Sequence, residues 1–177
     1  MSSSGLVVVD ESKAKGYLLV AACVLPADVV AARKQLRELI MPRQSRVHMK
    51  TESAPRRREI LAALERLEVQ ATIYRAGASY RTDIARRRAC LERLVGDIAG
   101  TCERLVLESD ETQDQRDRRD LIELTRAAGC HGTLSYDHLR ATSEPLLAIP
   151  DAVAWAWARG GDWRRRVTPL VRLVIQV

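Results

Sequence analysis

Short runs of β-branched and aliphatic residues alternate along this chain with longer stretches in which apolar residues recur every three to four positions. That alternation of periods constrains the fold more than composition does. Strands separated by helical crossovers build an α/β domain, and the pattern excludes a helical bundle or a β-sandwich. The first run, Leu6-Val7-Val8-Val9, ends at Asp10 and has the continuous β-branched character of a strand covered on both faces. The second, Tyr17 to Val24, follows across Glu11-Ser12-Lys13-Ala14-Lys15-Gly16, a short polar connection that predicts an antiparallel hairpin.

Pro26 opens a helix with Val29, Ala32, Leu36, Leu39 and Ile40 on one face, and Pro42 stops it. Residues 41–50 are irregular. A capping hydroxyl at Ser53 and a first-turn Pro55 start a second helix that turns Ile60, Leu61, Leu64 and Leu67 inward. Strand 69–76 precedes a helix over about 82–99, whose stripe is Leu91, Leu94, Val95 and Ile98 and whose stop is Gly100. Strand 104–108, helix 113–128 and strand 133–139 follow, then an Ala/Trp-rich helix opened by Pro150-Asp151 and ended by Gly160-Gly161. After Pro169 the segment Val171 to Val177 fits either a helix end or a strand. The expectation is one domain over residues 1–177 with a mixed five-stranded sheet, helices on both faces, and later strands parallel to the first.

With no Phe in the sequence, the core must rest on Leu, Val, Ile, Ala and three Trp. Trp155 and Trp157 point to different sides of their helix and are expected in the core rather than under nucleic-acid bases. Cys23, Cys90, Cys102 and Cys130 form no Cys-x-x-Cys pair and have no His at zinc-ligand spacing, which disfavours zinc ribbons and disulfide scaffolds. They are expected as small buried apolar residues in a reducing cytoplasm. No run approaches the roughly 18 apolar residues of a membrane span, so no membrane partner is expected. The 29 Lys+Arg exceed the 23 Asp+Glu by six, and much of the excess is arginine in triplets at 56–58, 86–88 and 164–166. Arginine forks suit phosphates, so Arg56, Arg57, Arg86, Arg87, Arg164 and Arg165 are candidate contacts to DNA or RNA. The same triplets also read as solvated helix faces.

Open α/β sheets place their sites where parallel strands end. Asp10 ends the first strand, Glu108 and Asp110 lie at the end of the fourth, and Asp151 is in the first turn of the Ala/Trp-rich helix. Glu108 and Asp110, two residues apart, would share one face of an extended chain, as rivals or partners in one role. Crowded carboxylates are costly unless a cation occupies the cluster, and hard oxygen donors suit Mg²⁺ or Mn²⁺, which can cleave phosphodiesters as a pair. Structural roles compete with this. Asp151 can serve the helix dipole, and Asp10-Glu11-Ser12 can serve a turn.

The Val-Val-Val-Asp10-Glu11-Ser12 opening, the second strand from Tyr17 to Leu25, His48 in the next irregular stretch, and Leu146 to Ala154 with its tryptophan-bearing tail resemble the family called domain of unknown function 3800. The resemblance spans essentially the whole chain and implies a ribonuclease H-like fold whose members act on nucleic acids with two carboxylate-held metal ions. By that similarity Asp10 and Asp151 match the family's first-strand and late acids, Glu108 or Asp110 its fourth-strand acid, and His48 its histidine. Lys13 stands where the family has glycine, and Pro150 where it has alanine.

The expected function is therefore a Mg²⁺- or Mn²⁺-dependent nuclease. Asp10, Glu108, Asp151 and His48 would be catalytic, with Glu11 and Asp110 as further metal ligands. Glu52 and Glu144 lie in loops that could supply another carboxylate, whereas His131 and His138 receive no role. The alternatives are a non-catalytic module binding nucleic acid or protein on the same fold, or a subunit of a larger complex. An open sheet edge would also allow a homo-oligomer.

Overall fold

The computed structural model describes residues 5–177. Strands β1 (Gly5–Ser12) and β2 (Tyr17–Val24) form the expected antiparallel hairpin, in register from Leu6 opposite Val24 to Ser12 opposite Leu18. Its strand is longer than the valine run suggests, because Glu11 and Ser12 continue the pairing with β2 beyond Asp10. Helices α1 (Val29–Glu38) and α2 (Ala54–Arg66) precede β3 (Gln70–Ala76), which pairs antiparallel with β2. Ser53 accepts a hydrogen bond from the Arg56 amide at 3.4 Å and Pro55 occupies the first turn, so the capping signal is used as written. Helix α3 (Asp83–Ile98), capped by Thr82, crosses to β4 (Cys102–Glu108), and α4 (Asp114–Ala127) crosses to β5 (Ser135–Leu139).

A short 3₁₀ turn over Pro145–Leu147 then leads into α5 (Ala148–Arg159), two residues earlier than Pro150 alone would place it. Gly160, at φ 76°, breaks the chain into α6 (Gly161–Val167). A sixth strand, β6 (Val171–Gln176), replaces the five-stranded expectation. Pro169 sits in a 3₁₀ turn, Thr168–Leu170, that ends α6 and redirects the chain, so the Val/Ile-rich tail runs parallel to β3. The sheet order is β5-β4-β1-β2-β3-β6, with β2 antiparallel to its neighbours and every other pairing parallel. Both edges are short strands, and Leu173 and Val174 on β6 are exposed.

The period of two splits β1 between two cores. Leu6 and Val8 pack with residues of α1, α2 and α5, whereas Val7 and Val9 pack with residues of α3 and α4. Each fully buried aliphatic contributes roughly 1.5–3 kcal/mol. Trp155, Trp157 and Trp163 are half-buried at the margin of the first core rather than inside it, with Trp155 and Trp163 edge-to-face at 5.2 Å. Cys90, Cys102 and Cys130 are buried as expected, but Cys23, near the end of β2, is exposed. Among the described residues no helix is long and apolar enough to cross a membrane.

Candidate active site at the carboxyl ends of β1 and β4

The same alternation decides which acids meet. Asp10 follows Val8 by two and faces the α5 side, while Glu11 follows Val9 by two and faces the α3/α4 side. On β4, Val106 belongs to the α5-side core, so Glu108 faces that side too. Parallel pairing runs to Val9 opposite Leu107, and one step further sets Asp10 beside Glu108. Asp151, in the first turn of α5, closes the group from above the sheet. Burial, then the negative charges of Glu108 and Asp151, pushes the Asp10 carboxyl well above its ordinary range. Its carboxylate accepts a hydrogen bond from the Glu11 amide at 2.7 Å and shares another with Glu108, and among the described residues it has no ion-pair partner.

The irregular stretch between α1 and α2 supplies the other wall. Val47 and Met49 are buried and anchor it. The Met49 amide donates to Asp151 Oδ2 at 2.9 Å, which fixes the carboxylate. His48 Nδ1 lies 3.4 Å from Asp151 Oδ1, close enough for an ion pair but aligned too poorly for a hydrogen bond. Arg46 Nη1 donates to Glu108 Oε1. Arg57 holds the stretch from behind, donating to Met49 O at 2.8 Å and Lys50 O at 3.0 Å with its guanidinium over Trp155. A cavity of about 320 Å³ opens among Asp10, Glu11, Glu108, Asp110, Arg87 and Gln113.

Glu11 and Asp110 line this cavity with Asp10 and Glu108, but each is held by partners of its own. Burial alone would raise the Glu11 pKa. Arg87 at 2.6 Å, Lys13 at 2.8 Å, the Tyr17 hydroxyl and Gln113 reverse that and hold it below its ordinary value. Asp110 lies past the end of β4 and is exposed, so strand alternation no longer applies to it. It accepts hydrogen bonds from Thr112 and Gln113, which lower its pKa to about 2.

Arg87 is likewise committed to acids of the chain itself. It is 8% exposed and grips Asp117 through two hydrogen bonds of 2.8 and 2.7 Å. His138, expected to have no role, completes this network, with Nε2 3.1 Å from Asp117 Oδ2. The other triplet arginines are largely occupied within the chain. Arg56 pairs with Glu59 and donates to Leu39 O, Arg86 pairs with Asp83, Arg164 donates to Trp157 O, and Arg165 reaches Asp162 at 3.4 Å. Glu144 caps the 3₁₀ turn and binds Arg33, and Glu52 is buried against Gln44 and Arg56, so neither is a site carboxylate.

Sequence reasoning missed Arg46 and the Arg87–Asp117–His138 network. The latter carries a signal: Arg87 lies on the stripe of Leu91 and Leu94, and Asp117 on that of Leu121 and Leu124. Opposite charges on the buried stripes of consecutive helices mark a pair. Arg46, in an irregular segment, has no such pattern. Among the described residues, no three His, Cys, Asp or Glu side chains are gathered into a ready-made metal cage. No family model, curated protein or solved structure matches the chain.

Proposed function

We propose that this chain is a Mg²⁺- or Mn²⁺-dependent nuclease with a ribonuclease H-like fold, hydrolysing phosphodiester bonds of DNA or RNA in the cytoplasm. The observation that carries this reading is the meeting of Asp10, Glu108 and Asp151, from three separate elements, at the carboxyl ends of parallel strands, with no cationic partner for Asp10 among the described residues. The donor set fits a hard cation. Mg²⁺ is commonly held by one or two carboxylates with retained waters and substrate phosphate, so a complete protein cage is not required. Once bound, such ions activate a water and stabilise the leaving oxygen. Asp10 and Glu108 would hold them from adjacent strands, with Asp151 oriented by the Met49 amide as the third ligand. His48, whose ring is partly exposed beside Asp151, would carry protons between the site and its rim.

The purified protein should cleave oligonucleotides with Mg²⁺ or Mn²⁺ and lose cleavage in EDTA. Asp10→Asn should abolish cutting while salt-sensitive binding persists, and cleavage at the parental rate by that variant would refute the assignment. A second reading, a binding module or complex subunit with no working metal site, is favoured by the Arg46–Glu108 pair, which already neutralises one acid. It predicts oligonucleotide binding with neither Mn²⁺ binding nor cleavage.

A further inference from the structure

Glu108 is shared by two cavities, one lined mainly by acids and the other carrying two arginines beside Glu108 and Glu111. On one side is the acid pocket with Asp10. On the other is a groove of about 300 Å³ lined by Arg46, Ser109, Arg140 and Thr142. Arg46 lines the groove, yet its guanidinium donates to Glu108. Its neighbour Val47 is buried, so the backbone is fixed and the guanidinium can move by side-chain rotation. Across the groove, Arg140 is mostly exposed and pairs at 3.1 Å with Glu111, which is itself exposed. A pair like that is weak and readily surrendered to a phosphate.

Resting on the nuclease reading of the acid pocket, we propose that Arg46 is a displaceable counterion. It neutralises Glu108 in the free protein, yields that carboxylate to an arriving divalent cation, and takes a nucleic-acid phosphate in the groove beside Arg140. The two cations compete for one carboxylate, and the guanidinium fork matches a phosphate as well as it matches Glu108. Cation binding and strand binding must then be positively coupled, each strengthening the other by the same factor. Groove and pocket would be loaded in concert, so a strand is held firmly only when the pocket can act on it.

The test uses the whole chain, with Mn²⁺ binding followed by electron paramagnetic resonance and binding of labelled oligothymidylate or oligouridylate followed by anisotropy, with and without Ca²⁺. Arg46→Ala should bind Mn²⁺ up to about fivefold more tightly, because a competitor is gone. In Ca²⁺ its plot of log Kd against log salt should be shallower than the parent's by about 0.7, the loss of one phosphate contact to a single strand. Without Ca²⁺ the two slopes should coincide. Arg140→Ala should flatten the slope in both conditions. Arg46→Gln, which keeps the stem, should repeat the Arg46→Ala result, and circular dichroism checks that both variants fold. The deoxy and ribo arms show which backbone the groove prefers. Mn²⁺ binding to the parent with unchanged or weaker binding to both Arg46 variants, or equal slopes in Ca²⁺, overturns the inference alone. No Mn²⁺ binding to the parent overturns the nuclease reading, and this inference with it.

Discussion

Arg87→Met tests the assignment of that residue to the fold rather than to a nucleic acid. The substitution keeps the apolar stem and deletes a guanidinium that makes hydrogen bonds of 2.8 and 2.7 Å to Asp117 and 2.6 Å to Glu11. Asp117 is 2% exposed, so it cannot recover the lost bonds from water. Removing one partner of a buried ion pair costs about 3–5 kcal/mol. For a chain of 177 residues each kcal/mol moves Tm by about 2–4 °C, so the fall should be roughly 6–20 °C. The pH dependence has a definite sign. Burial raises the Asp117 pKa, but His138 and Arg87 bring it below its ordinary value, so the native pair stabilises above the unfolded carboxylate pKa and that stability is lost as pH falls through the folded one. Without Arg87 the burial effect is opposed by His138 alone, and the penalty should shrink as pH falls through the carboxylate range. Urea unfolding at neutral and acid pH measures this, and a double-mutant cycle with Asp117→Asn should return a coupling of about 0.5–3 kcal/mol. Oligonucleotide affinity should be unchanged while the variant is folded. A loss of under about 1 kcal/mol, or a salt slope flattened as by Arg140→Ala, would refute the reasoning.

Asp10→Asn should stabilise the cation-free protein. Burial and the Glu108 and Asp151 charges raise the Asp10 pKa, so its favourable protonated state is fully populated below the unfolded value and lost as pH rises through the folded one. The gain in unfolding free energy from urea titration should be near zero in strong acid and grow toward neutrality, at about 1.4 kcal/mol per pKa unit. Arg57→Ala should cost about 2–3 kcal/mol through two carbonyl contacts and the stack on Trp155, and speed amide exchange over residues 46–51. Ellman's reagent should find Cys23 as the one fast thiol of the native protein and all four in urea. Because the sulfur of this exposed residue is partly enclosed beside Gly5, which raises its pKa, that reaction should accelerate at alkaline pH.

Where a single period dominated a segment, the sequence displayed the element. Val7 to Val9, the stripe Leu91, Leu94, Val95 and Ser53 with Pro55 all appear in the structure as strand, buried face and cap. Val171 to Val177 was ambiguous because an apolar run of that length fits either state, and its pairing with β3 is a long-range fact with no local mark. The rule that groups Asp110 with Glu108 holds only inside a strand, and β4 ends at Glu108. The separation of Asp10 from Glu11 follows from the same rule applied one strand earlier. Convergence of Asp151 on them depends on how α5 lies over the sheet, which no spacing along the chain specifies.

Two neighbouring acids on one strand thus meet opposite electrostatic solutions. Glu11 lies below its ordinary pKa because Arg87, Lys13, Tyr17 and Gln113 surround it, and the α3/α4 side of the sheet gains a closed polar network. Among the described residues Asp10 has two acids and a backbone donor beside it and no cation, so on the α5 side its ionisation comes at a cost in stability. The fold can supply arginines to this region, since Arg87 and Arg46 both reach the carboxyl ends of these strands. Replacing Asp10 by a neutral residue would remove the cost at once. An acid with no cation beside it among the described residues, one residue from an acid paired with Arg87 and Lys13, is the arrangement that the proposed metal site requires.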